Sequence, residues 1–225
     1  MEKKEKTAIV LGATGLVGGI LLDLLLKDER YVKIVAISRR KLGIQHPKLE
    51  THLGDLFKLE NFSDHFHGDE VFCCVGSTQA KTPDLNTYRK VDYGIPIATA
   101  QLCKQNGIKT IVIVSALGAD PKSSLFYNRT KGEMEEAVLE LKIEKTHIVQ
   151  PALIGGHRDE KRPKELFFKK VMGVLDFLLL GPLRKYRMIA PEDIATAMIW
   201  LANNRYEEER IDSETIKQLA KHGAP

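Results

Sequence analysis

The stretch "VLGATGLVG" sets Gly12, Gly15 and Gly18 between a β-branched run, "TAIVL" at 7–11, and a helical pattern with an apolar stripe at 16–26. Glycines at a strand-to-helix turn let the backbone approach a pyrophosphate closely, and the helix N-terminus adds unpaired N–H groups and a partial positive charge. The chemistry such a loop serves is dinucleotide binding, with Gly12, Thr14, Gly15, Leu16 and Val17 as the residues placed for it. A tight turn with no ligand is the alternative. The ligand is favoured because the loop opens a strand–helix array, the setting the motif requires. The second strand, "KIVAIS" at 33–38, ends in Ser38–Arg39–Arg40, with no carboxylate to accept from the ribose hydroxyls of NAD. Two guanidiniums suit a 2′-phosphate, gripped through forked, charge-assisted hydrogen bonds. The expectation is NADP(H) in preference to NAD(H), against a solvated basic loop that Lys41 continues. Asp55, with Leu56 beside it, lies just past the third strand and either meets an adenine amino group or caps a turn.

A second set lies in "SALGADPKSSLFYNRTKGEMEEA" at 115–137: Ser115, Tyr127 and, four residues on, Lys131. One helical turn separates Tyr127 from Lys131, so both side chains share a face. The spacing alone fits a catalytic constellation or a loop followed by an amphipathic helix equally well. Its surroundings weigh more: Ser115 closes the fifth strand, at the carboxyl edge where open parallel sheets bind ligands.

Holding these groups in place takes strands and helices in a fixed order. Six strands are expected at 7–11, 33–38, 49–53, 70–75, 109–115 and 145–150, with helical patterns at 16–26, 58–65, 85–105 and 126–141 between them. Pro96 is expected to kink the third helix. Strand, helix, strand at this rhythm means crossover connections and a parallel sheet covered on both faces; right-handed crossovers make it doubly wound. The expected fold class is therefore α/β, a Rossmann-type doubly wound parallel sheet with a small C-terminal substrate lid. The lid reading comes from residues 155–187, rich in Gly, Pro and basic groups, with an apolar patch at 166–180. A helix follows at 191–203, and Asp212 or Ser213 caps a short terminal helix ending before Gly223. One NAD(P)-binding domain is expected over 1–225, its core at about 6–154 and its lid and C-terminal helices at about 155–225.

Composition agrees. The 225 residues, 43% hydrophobic and 28% charged, suffice for one sizeable core and not for two. A net charge of +4, spread along the chain, suits an anionic ligand; no nucleic-acid motif or interleaved aromatics accompany it, so no nucleic acid is expected. Three cysteines, two of them the adjacent Cys73 and Cys74, make neither a disulfide framework nor a zinc site, which points to a reducing, cytoplasmic location. Residues 1–26 imitate a signal peptide, but four glycines and Asp23 interrupt the apolar stretch, so export is not expected. The run at 174–180 is far shorter than the ~20 residues a bilayer requires, so no membrane span is expected. His65 and His67 flank Phe66 and diverge in a helix without a matching carboxylate, so no metal site is expected.

A strand-end serine followed by Tyr-x-x-x-Lys on the next helix resembles the short-chain dehydrogenase/reductase superfamily. The G-x-x-G-x-x-G spacing of Gly12, Gly15 and Gly18 is similar to that of its extended and atypical members. "CVGSTQAK" at 74–81 resembles the segment after the fourth strand that lines the cofactor, which brings in Gly76, Ser77 and Thr78. "PALIGG" at 151–156 resembles the proline-led turn beside the nicotinamide, which brings in Pro151, and "APEDIATAMI" at 190–199 resembles the closing helix. With "ISRRKL", "FCCVGST", "VDYG" and "SALGAD", the chain looks most like the Tat-interacting-protein branch of the atypical members, over roughly residues 6–203. The resemblance implies carbonyl reduction, or alcohol oxidation in reverse, on a small molecule. Tyr127 would give a proton to the substrate oxygen; Lys131 would lower the tyrosine pKa from near 10 and hold the ribose hydroxyls; Ser115 would hydrogen-bond the substrate oxygen. Tyr127 and Lys131 thus count both as catalytic and as cofactor-binding residues. Asp92 stands where many relatives carry an asparagine that holds a proton-relay water, and its charge would alter that relay. The same resemblance implies a rival: an NADP(H)-binding regulatory or scaffold protein that meets a protein partner through 157–225.

Overall fold

Short aliphatic runs that are apolar on both faces cannot satisfy their backbone alone and pair side by side. In a computed structural model, which describes residues 5–78, 80–155 and 187–223, such runs form β1 (Lys6–Leu11), β2 (Tyr31–Ser38), β3 (Leu49–Leu53), β4 (Glu70–Cys73), β5 (Thr110–Val114) and β6 (Lys145–Gln150). A further strand, β7 (Arg210–Asp212), completes a sheet in the order β3-β2-β1-β4-β5-β6-β7. Every pairing is parallel; Ile9, for instance, lies opposite Val35 on one side and Val71 on the other. The fold is a Rossmann-like doubly wound α/β sheet.

The helices cover both faces. α1 (Leu16–Lys27), α5 (Pro191–Asn203) and α6 (Ser213–Gly223) share one side; α3 (Ile95–Gln105), α4 (Phe126–Glu140) and a 3-10 segment, Leu56–His65, share the other. β1 shows how period-two alternation serves both: Ala8 and Val10 pack with Leu21, Leu25 and Met198, whereas Ile9 and Leu11 pack with Leu59, Phe62 and Met134. A short helix, α2 (Leu85–Arg89), runs into α3 through a π-helical turn, Lys90–Gly94. The expected kink at Pro96 takes this form. Proline has no N–H and its ring crowds the carbonyl four residues back. The Ile95 N–H reaches the Lys90 carbonyl, five residues back, and Pro96 sits within the first turn of α3.

The C-terminal part departs from expectation. β7 and α5 belong to the central sandwich: β7 pairs with β6, and α5 packs on α1. Three residues carry no readable periodicity, so β7 escaped notice. Asp212 does cap α6, its side chain accepting from the Thr215 N–H at 2.7 Å, and the helix runs on through Gly223. β4 ends at Cys73, two residues earlier than expected. The substrate lid and its apolar patch at 166–180 lie outside the described residues. Among those described, no helix is long and apolar enough to cross a membrane.

Candidate functional site

Strand order reverses between β1 and β4, and the loops above them diverge to leave a crevice, the usual ligand position in such sheets. The glycine loop makes its floor. Gly12 holds φ +86°, a conformation that favours glycine. A Cβ there would lie 2.7 Å from the Cys74 carbonyl carbon and oxygen, so only a bare Cα lets the loop lie against the end of β4. The Gly15 N–H donates to the Gly12 carbonyl at 2.9 Å and closes the turn. Gly18 sits beneath it; its Cβ would fall 2.1 Å from the Gly12 oxygen. Gly15 is the N-cap of α1, with no side-chain cap and no acidic residue in the first turn, leaving first-turn N–H groups and the positive end of the helix dipole uncompensated among the described residues.

A cleft of about 220 Å³ opens from that turn. Gly15, Leu16 and Val17 form one wall, and Gly76, Ser77 and Thr78, after β4, the opposite one. Ser115 at the end of β5 and Tyr127 and Lys131 on α4 close the far end. Nine residues singled out from sequence thus line one cleft. Five others do not. Gly12 and Thr14 complete the loop behind its lining; Arg39 and Arg40 lie exposed past β2, with no ion pair among the described residues; Pro151 is buried, its carbonyl accepting the Leu117 N–H at 2.9 Å. Nor do Asp55 and Leu56, which occupy the start of the 3-10 segment. Asp55 accepts from the Phe57 N–H at 2.9 Å, the capping alternative of its two readings, while Leu56 is buried against the core.

Two buried carboxylates dominate the electrostatics at the cleft. Asp92, fully buried in the π-helical turn, lies 2.8 Å from the Lys131 ammonium through one oxygen and accepts the Ser77 N–H at 2.8 Å through the other. Single π turns widen a helix and recur at functional sites; here the widening sets a carboxylate between α4 and the loop after β4. Burial works to lower the Lys131 pKa, but the charge of Asp92 and the Tyr127 phenol outweigh it, and the net movement is upward from 10.5. The ammonium form therefore adds stability that is fully present below pH 10.5 and is lost as pH rises through its higher folded value. Removing one partner of such a pair strands the other. Asp92→Asn is expected to cost about 3–5 kcal/mol of unfolding free energy at pH 7, read as a lower urea midpoint.

The second carboxylate, Glu135, escaped the sequence reading. It is 1% exposed on α4 and accepts the Ser115 hydroxyl at 2.5 Å, the Gln150 amide at 2.9 and 3.0 Å, and Arg210 Nε from β7 at 2.9 Å. Tyr127, Lys131 and Glu135 follow one another at intervals of four, and that repeat on a single helical face was the available signal. Cys74, Val75, Lys81, Val114 and Ile154 also line the cleft without having been named as site residues.

Comparison with known proteins agrees with the geometry. The sequence pattern of a family described as NAD(P)H-binding matches residues 12–152. The protein HTATIP2 of Rattus norvegicus is 33% identical over 176 residues, 76% of this chain and 72% of that one. A Scheffersomyces stipitis protein named FMP52-1, mitochondrial, is 32% identical over 183 residues, 79% of each chain. Among solved structures, MoeE5 in complex with UDP-glucuronic acid and NAD superposes with a TM-score of 0.70 at 18% identity, covering 96% of this chain and 81% of that one. Bordetella bronchiseptica WbmH in complex with NAD+ gives 0.69 at 17% identity, over 96% and 80%. At such identities the structural likeness speaks for the fold alone.

Proposed function

Because the chain belongs to the NAD(P)H-binding family, as an atypical short-chain dehydrogenase/reductase related to HTATIP2 and FMP52, we propose that it binds NADP(H) at the β1/β4 switch point and reduces a carbonyl, or oxidises an alcohol, on a small molecule. The observation that carries this reading is convergence: Ser115, Tyr127 and Lys131 line the same cleft as the uncapped start of α1. The residues fit the cofactor, since Gly12 and Gly18 let the turn pack closely between the end of β4 and the start of α1, and the first turn of α1 supplies N–H donors for a pyrophosphate. Gly12, Thr14, Gly15, Leu16 and Val17 would hold that pyrophosphate. Gly76, Ser77, Thr78 and Pro151 would flank the nicotinamide side, and Arg39 and Arg40 would grip the 2′-phosphate. Asp55 would border the adenine through the carboxylate oxygen that the Phe57 N–H leaves over, and Leu56, its side chain in the core, through its backbone. When bound, the nicotinamide supplies or accepts the hydride.

The chain's own groups manage the proton. Tyr127 donates to the substrate oxygen in reduction, and Lys131 favours the phenolate that remains. Asp92 offsets part of that help, because a carboxylate 2.8 Å from the ammonium leaves the pair nearly neutral as seen from the phenol. Ser115 spends its proton on Glu135; turning about χ1 lets it donate to the substrate oxygen, while Gln150 and Arg210 keep Glu135 satisfied.

Those two diversions favour a second reading, an NADP(H)-binding regulatory protein with little turnover, in which buried carboxylates hold the lysine and the serine. One experiment separates the readings: calorimetry with NADPH and NADH, followed by NADPH consumption against a panel of aldehydes and ketones. Binding with turnover supports the enzyme, binding without turnover the regulator, and no binding of either coenzyme removes both. The double variant Arg39→Ala/Arg40→Ala is expected to weaken NADPH about 10–100-fold and to leave NADH within about twofold, the loss matching one or two charge-assisted hydrogen bonds.

A further inference from the structure

Among the described residues β3 pairs with β2 alone, at the edge of the sheet, and such edges in natural sheets are covered or blunted. Period-two alternation sends Glu50 and His52 to one face of it. His65, the last residue of the segment Leu56–His65, comes over that face. Its ring stacks on His52 at 3.9 Å between centroids, with the planes 21° apart. His52 Nε2 lies 2.5 Å from Glu50 Oε1, and one donor atom from each of Glu50, His52 and His65 lies within 4.8 Å of the others.

We propose that Glu50, His52 and His65 bind one divalent transition-metal ion of the zinc type, pinning the edge strand to the segment beside it. Two imidazoles and one carboxylate are the donor set of Zn2+ and its neighbours in the transition series; Mg2+ and Ca2+ prefer oxygen alone. Metal–ligand bonds near 2.0–2.1 Å put ligand atoms roughly 3.3 Å apart in a tetrahedral site. The widest pair must therefore close by at most about 1.5 Å, and the 2.5 Å pair of His52 and Glu50 must open by about 0.8 Å. Glu50 and His65 both reach the surface, so side-chain torsions can supply this, the imidazoles turning out of parallel until their lone pairs converge. Water fills the fourth position on the open side. Lys33 occupies the other Glu50 oxygen at 2.6 Å, so Glu50 binds the ion through Oε1 alone.

A pin here has a use. A 3-10 helix has poorer hydrogen-bond geometry than an α-helix and rarely runs long; this one contains a non-helical residue, Lys58 (φ −122°, ψ 54°). Its far end begins at Leu56, next to Asp55.

The test is titration of the whole, metal-free chain with Zn2+ by calorimetry, and with Co2+ by visible absorption. The expected result is one ion per chain with a Kd of about 1–10 µM and the intense d–d bands of a four-coordinate site; a hundredfold excess over Kd should raise the Tm by roughly 5–10 °C. His52→Ala and His65→Ala should each weaken Zn2+ at least about tenfold, and Glu50→Gln by a similar factor, while His67→Ala, one position beyond Phe66, leaves it unchanged. A wild-type Kd above about 100 µM, or an affinity that none of the three ligand variants alters, overturns the proposal. His65 and His67 are exposed, Glu50 and His52 partly buried, and circular dichroism of each variant separates lost ligation from lost fold.

Discussion

Tyr127→Phe is expected to lower NADPH-dependent carbonyl reduction by about 10²–10⁴-fold, the usual worth of a positioned general acid, while NADPH affinity stays within about threefold. The phenol shares the cleft with the buried ammonium: Tyr127 and Lys131 lie one turn apart on α4, and the charge of the phenol helps move the Lys131 pKa upward. Phenylalanine keeps the ring, its packing beside Tyr88 at 6.2 Å and the helix, and removes only the hydroxyl. Stopped-flow turnover paired with calorimetry reads both quantities on one preparation. Equal turnover by the two proteins would remove Tyr127 from the chemistry, and with it the reason for reading Ser115 and Lys131 as its partners.

A larger loss of binding is expected from a single methyl group. Gly18→Ala places a carbon 2.1 Å from the Gly12 oxygen, well inside contact distance, with backbone rather than a flexible side chain as the obstacle. Either α1 shifts away from the loop or the turn opens, and both spoil the alignment of N–H groups at the helix start. NADPH Kd should rise at least about a hundredfold, and stability should fall by about 1–3 kcal/mol from overpacking. The neighbour supplies the control. A Cβ at Gly19 would meet the Ala13 oxygen at 3.4 Å, an ordinary contact, so Gly19→Ala should retain binding and gain about 0.5–1 kcal/mol of helix stability. Loss of binding in both variants would mean that the methyl at 18 acts through something other than the turn.

Much of this was legible because it rests on local rules. β1, the glycine turn and α1 are contiguous, and their signals (a β-branched run, three spaced glycines, an apolar stripe) need no knowledge of the rest of the chain. Ser115, Tyr127 and Lys131 could be placed because a parallel sheet brings every strand's carboxyl end to one edge. What stayed hidden depends on partners distant in sequence. Glu135 reads as one more acid on a charged helix until Gln150 and Arg210, 15 and 75 residues away, surround it. Asp92 was visible as a departure from an asparagine, but its pairing with Lys131 needed the π-helical turn, which no periodicity announces. His65 was weighed against His67, its neighbour in sequence, whereas its companion in space is His52 on the adjoining strand.

The link from Arg210 to Glu135 also bears on the order in which the protein becomes complete during synthesis. The guanidinium that meets Glu135 is carried by the final strand of the sheet. Until the ribosome has released residue 212, a nascent chain can assemble six strands, yet the acid that positions Ser115 lacks its counter-ion and the β6 flank lies bare. Completion of the Ser115 surroundings thereby waits on β7, so a polypeptide cut short after α5 would retain the glycine turn and leave Glu135 without the Arg210 guanidinium.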